Sequence, residues 1–191
     1  MNRVVMSIPN WLTVARLMMI PILVIVYLLP FSAAKALAAF IFLLACITDW
    51  LDGYLARKLE QSSVFGAFLD PVADKLLVST SLVLLVGESN IPFLTLPAIV
   101  IVGREIVISA LREWMAEMGQ RVSVAVSYMG KVKTMLQMVA IFLLIAYVPS
   151  MSWCGMWGIL LLYVAAGLTL WSMVIYLSIA WPSLGNAVAE K

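Results

Sequence analysis

Asp49, Asp52, Asp70 and Asp74 are the only aspartates in a chain of 191 residues, and all four fall between positions 49 and 74. Asp49 and Asp52 are three apart and Asp70 and Asp74 four apart, so on helices each pair projects from one face. Two such faces brought together make a nest of four carboxylates. Like charges at that distance do not all stay ionised unaided, so something positive must sit between them. The chain has no histidine, and its two cysteines, Cys46 and Cys154, stand singly in apolar surroundings, as packing residues do. That excludes histidine triads, histidine general bases and histidine or thiolate zinc sites. An oxygen-only ligand set points to a hard ion, Mg²⁺ or Mn²⁺. Four carboxylates suffice for two bridged ions, the arrangement that clamps the attacking and leaving oxygens of a phosphoryl displacement.

The neighbouring residues suit that chemistry. Gly53 removes a side chain directly after Asp52, which lets a ligand approach the helix backbone closely. Arg57, one turn beyond, offers a bidentate grip on a phosphate oxygen, and Ala56 keeps the same face clear. Gly66 suits a link that folds back between two helices, and Ser63 is a possible hydrogen-bond donor, although a lone loop serine is more often solvated.

The elements that must position these groups are hydrophobic. The chain is 64% hydrophobic and 12% charged, more apolar side chain than a soluble domain of this length can bury. We read it as an all-α integral membrane protein in one domain, residues 1–191. Six apolar runs approach the about 20 residues that cross a bilayer: roughly 8–29, 36–56, 68–86, 93–111, 134–148 and 155–181. The first is read as a retained membrane helix with an interfacial amphipathic opening, because Asn10, Thr13 and Arg16 recur at steps of three. A snorkelling Arg16 beside an interfacial Trp11 explains that face as well as head-group binding does. Pro71 is placed in the first turn of the third run, where proline is tolerated. Arg3, Arg57, Lys58, Arg112, Arg121, Lys131 and Lys133 share one side, against Lys35 and Glu88 on the other. The positive-inside rule then puts the aspartates and both termini in the cytoplasm. No basic run of the kind that binds nucleic acid is present. Four carboxylates at mid-bilayer would cost on the order of 10 kcal/mol, so such a cluster is functional by default.

The pattern Asp49-x-x-Asp52-Gly53-x-x-Ala56-Arg57, eight residues, then Gly66-x-x-x-Asp70-x-x-x-Asp74 resembles the full signature of the CDP-alcohol phosphatidyltransferase family. The opening Ile8-Pro9-Asn10-x-Leu12-Thr13-x-x-Arg16 and the segment from Gly103 to Thr134 are similar to its bacterial members that use sn-glycerol 3-phosphate. The resemblance implies a six-helix membrane fold with a polar cavity facing the cytoplasm of the bacterial inner membrane, commonly as a homodimer. It implies transfer of the phosphatidyl group of CDP-diacylglycerol to sn-glycerol 3-phosphate, with release of CMP. Carried over by position, Asp49, Asp52, Asp70 and Asp74 would hold two Mg²⁺ or Mn²⁺ ions, with Asp74 also the general base. Gly53, Arg57 and Ser63, joined by Asn10, Thr13 and Arg16, would hold the donor.

The acceptor rests on cations not spent on the donor. Lys75, Arg104, Arg112 and Lys131 are the candidates for its phosphate. Arg104 and Arg112 lie nearly on one helical face, while Lys131, Thr134 and Gln137 recur at steps of three. Against this, Arg104 has Glu105 and Glu113 near it in sequence, and Lys133 is expected to snorkel to the interface. Other acceptors within the family, such as inositol phosphate, serine or phosphatidylglycerol, stay open. So does a divalent-cation transporter, although an arginine beside the carboxylates opposes cation entry.

Overall fold

A computed structural model describes residues 8–59, 64–88, 93–117, 128–146 and 152–189. Among them are six helices and no strand: α1 (Ile8–Leu28), α2 (Ala34–Leu59), α3 (Val64–Gly87), α4 (Thr95–Glu117), α5 (Tyr128–Ile145) and α6 (Ser152–Ala189). Each coincides with one of the six apolar runs. Three described helices carry segments long and apolar enough to cross a membrane, Asn10–Leu28, Ala34–Leu55 and Gly155–Ser178. Helices α3 and α4 are as long, but each carries charged residues within its length.

Several helix ends lie outside the apolar runs, because helical hydrogen bonding continues past the last apolar residue, although α1 and α5 end, and α4 begins, inside theirs. Helix α3 starts at Val64 rather than near position 68, so Pro71 is interior and not in the first turn. Having no N–H, Pro71 leaves the carbonyl of residue 67 without its helical donor. Gly66, expected in the link between runs, is likewise helical. Helix α2 continues through Arg57, and α4 through Arg112, which shortens both polar connections. Helix α6 continues past residue 181 to Ala189.

Helix α1 packs on α2 and α3, α5 pairs with α6, and α4 bridges α6 and α3. The core between them is aliphatic, built on Leu23, Phe42, Leu77, Leu82, Ile141, Leu144 and Leu162. Without a hydrophobic driving force between helices in lipid, close approach at small residues carries such packing. Gly158 is one such residue: a Cβ there would lie 2.8 Å from Leu144 Cγ, 2.9 Å from Leu144 Cδ2 and 3.4 Å from the Ala140 carbonyl oxygen. Gly158→Val is therefore expected to destabilise the α5/α6 pair by about 1–3 kcal/mol. A melting curve in detergent unchanged from wild type would contradict that close contact.

Two polar clusters fix the α1–α2–α3 group at opposite ends. At one, Lys35 at the start of α2 and Tyr27 near the end of α1 both donate to Glu88 just beyond α3. Burial opposes ionisation of Glu88, but the Lys35 and Tyr27 hydrogen bonds and the Lys35 charge outweigh it and hold the carboxyl below its usual range. These contacts make α1 antiparallel to α2 and parallel to α3. The same directions bring the start of α1, the end of α2 and the start of α3 together at the other cluster.

A candidate metal centre and the basic pocket beside it

All four aspartates meet at that second end. Asp49 and Asp52, near the C-terminal end of α2, face Asp70 and Asp74 of α3 across the start of α1. Asp49, Asp52 and Asp70 each offer one oxygen within 4.8 Å of the others. Asp52 is 2% exposed, and its Oδ1 has no partner among the described residues. A buried, unshared carboxylate oxygen in an oxygen-only set suits a hard cation. Asp74 stands outside this trio.

The third wall is α1. Arg16, 0% exposed, places Nη1 2.8 Å from Asp49 Oδ1, 2.7 Å from Asp74 Oδ1 and 3.7 Å from Asp70 Oδ1. Its Nη2 pairs with Asp52 Oδ2. The snorkelling alternative is thus corrected: Arg16 turns inward because four carboxylates compensate a guanidinium far better than an interface does. Thr13, one turn earlier, lies 3.3 Å from Asp52 Oδ2 and 3.1 Å from Asp70 Oδ1, with one hydroxyl hydrogen to share between them. Asn10 is also buried on this face. Thr13 and Arg16 of the step-of-three stripe thus both face the carboxylates.

A network of basic side chains follows on from the cluster, beginning at Lys75, next to Asp74 on α3. Lys75 donates to Ser109 of α4, whose hydroxyl donates back to the Glu105 carbonyl at 2.6 Å. Arg104 pairs with Glu105 at 2.9 Å, as the local-pairing alternative expected, and also donates to Ser172 of α6 at 3.2 Å. Its Nε is buried without a partner among the described residues, and so is the Thr169 hydroxyl one turn before Ser172. Arg112 donates to the Tyr176 hydroxyl at 2.9 Å and lies 5.2 Å from that ring's centroid, the geometry of a cation–π contact.

Sequence reasoning set one of these cations aside. Lys133 is 6% exposed and Gln137, one turn on, 5%; both face inward from α5. Lys133 lies within electrostatic range of Arg104, Glu105 and Arg112. The stripe expected from Lys131, Thr134 and Gln137 is not the buried one: Thr134 is exposed, and the inward face pairs Lys133 with Gln137 at a step of four. Ser172 and Tyr176 were missed because a serine and a tyrosine four apart in an apolar helix carry no signal of their own. Gly53 lies beside Asp52 as expected. The side chains of Arg57 and Lys131, though helical, and the whole of Ser63 lie outside the described residues.

The chain matches the family model of CDP-alcohol phosphatidyltransferase over residues 6–181. The chain belongs to that family. Similar proteins include one from Pseudomonas fluorescens, 53% identical over 180 residues that make up 94% of this chain and 92% of its own. One from Salmonella choleraesuis is 55% identical over 174 residues, 91% of this chain and 94% of its own. One from Escherichia coli strain K12 is 53% identical, with the same coverage. All three bear the name CDP-diacylglycerol–glycerol-3-phosphate 3-phosphatidyltransferase. The family is one of phosphatidyltransferases, so the alternative of a cation transporter falls away.

Proposed function

We propose that this chain transfers the phosphatidyl group of CDP-diacylglycerol to sn-glycerol 3-phosphate, giving phosphatidylglycerol phosphate and CMP. The observation that carries this reading is the junction of a four-carboxylate centre with a network of basic side chains beginning on α3, in a chain more than half identical to three phosphatidyltransferases of that name. A carboxylate centre alone suits any acceptor in the family. The cations of α3, α4 and α5 suit one that carries its own phosphate.

Asp49, Asp52 and Asp70 would hold Mg²⁺ or Mn²⁺, with Asp74 reaching a second ion. When bound, such ions supply Lewis-acid stabilisation to the donor pyrophosphate and to departing CMP. The chain's own residues do the rest. Asp74 takes the proton from the acceptor hydroxyl as that oxygen forms its bond to the phosphatidyl phosphorus, and the bond from that phosphorus to the CMP oxygen breaks. Lys75, Arg104 and Arg112, with Lys131 and Lys133, hold the acceptor phosphate so that its hydroxyl faces Asp74. Gly53 and Arg57 of α2, together with Ser63, hold the CDP portion. Asn10, Thr13 and Arg16 brace the carboxylates from α1. The protein sits in the inner membrane of a bacterium as a homodimer, its basic, aspartate-bearing end toward the cytoplasm.

The test is CMP release by purified protein in detergent with CDP-diacylglycerol, Mg²⁺ and one acceptor at a time: sn-glycerol 3-phosphate, inositol phosphate, serine or phosphatidylglycerol. Release is expected with sn-glycerol 3-phosphate alone; release with another acceptor and not this one overturns the assignment. Arg104→Met removes a charge-assisted contact worth about 1.5–3 kcal/mol. It is expected to raise KM for sn-glycerol 3-phosphate about ten- to hundredfold and to leave KM for the donor nearly unchanged. An equal rise in both would place Arg104 outside the acceptor site.

A further inference from the structure

The guanidinium of Arg16 occupies the ground that a metal ion needs. It is fully buried, and its two Nη atoms reach an oxygen of every aspartate in the chain. Those carboxylates come from two helices, and Arg16 comes from a third. The hold is incomplete: Arg16 Nε and Asp52 Oδ1 are both buried without partners among the described residues. A guanidinium committed to this site alone would be expected to use its remaining donor. Without a cation between them, four carboxylates converging on one point would drive the ends of α2 and α3 apart.

We propose that Arg16 is a built-in counter-cation, which keeps the four carboxylates gathered in the metal-free protein and yields their oxygens when a divalent ion binds. The inference rests on the metal-site part of the function proposed above and assigns α1 a part in it. Arg16 is then a positioning residue and a competitor of the metal at once. A purely structural role predicts that removing Arg16 weakens metal binding, because the carboxylates disperse. Competition predicts the reverse, because a positive charge a few ångströms from the incoming cation is gone.

The measurement is Mn²⁺ binding followed by electron paramagnetic resonance, in detergent and without substrates, for wild type, Arg16→Met and Arg16→Lys. Arg16→Met is expected to bind Mn²⁺ at least about tenfold more tightly than wild type. Its metal-free form is expected to melt below metal-free wild type, with much of the gap closing on Mn²⁺ saturation. Arg16→Lys keeps the charge and should stay within a few-fold of wild type. Equal or weaker binding by Arg16→Met overturns the proposal while leaving the metal site standing. Binding by none of the three proteins overturns the metal site, and the role of Arg16 with it. Should Arg16→Met fail to fold, wild-type protein carrying ¹⁵N-labelled arginine decides the matter. Its Arg16 side-chain signals, identified by their loss in Arg16→Lys, are expected to shift on Mg²⁺ saturation, and unchanged signals overturn the proposal.

Discussion

Replacing Asp74 with asparagine is expected to lower the rate of CMP release by about 10²–10⁴-fold, the usual contribution of a positioned general base. Asparagine keeps the shape of the side chain and removes its capacity to take a proton. We propose this role for Asp74 rather than for one of its three companions on two grounds. Oxygens of Asp49, Asp52 and Asp70 cluster within 4.8 Å of one another, and Asp74 is not of that set. It is also the aspartate adjacent to Lys75, which is tied across to Ser109 of α4. The proposed base and the proposed acceptor-phosphate cations therefore share one stretch of α3. Two controls separate loss of chemistry from loss of fold: Asp74→Asn should melt near wild type, and KM for sn-glycerol 3-phosphate should move far less than kcat. A variant that releases CMP at a rate within tenfold of wild type would remove Asp74 from the base role.

Chelation of divalent ions is expected to reduce turnover below about 1% of the metal-loaded rate, since such ions contribute several kcal/mol of charge stabilisation to transfers of this kind. Mg²⁺ or Mn²⁺ should each restore it. The carboxylates explain why the loss is so large. With Asp52 buried and one of its oxygens unshared, no group among the described residues other than Arg16 is paired with all four aspartates. Arg16 can neutralise them, but it cannot present open coordination positions to a pyrophosphate. Metal-free protein is thus expected to stay folded and inactive. Activity persisting after exhaustive chelation would show that the cluster has another purpose.

Much of this was legible in residue spacing. The six apolar runs became the six helices because length and apolarity determine where a chain satisfies its own backbone in lipid. Several ends moved outward, since helical hydrogen bonding does not stop at the last apolar residue; Arg57, Gly66 and Arg112 are helical for that reason. The aspartate pairs at steps of three and four declared their own faces. The stripe of Asn10, Thr13 and Arg16 declared a face too, but not what it turned toward. A period fixes which residues lie together on one helix and carries no information about which neighbouring helix they meet.

Class, helix number and an oxygen-only carboxylate centre were determined by the sequence, because they follow from composition and local periodicity. The tertiary structure alone decided the cation. Arg16 meets its carboxylates across 33 to 58 positions of chain, and only the packing of α1 against α2 and α3 turns a side chain that could snorkel into the counter-charge of the site. Lys133 was decided in the same way: the packing of α5 against α6, α2 and α3 buries a lysine that its own helix would leave at the interface.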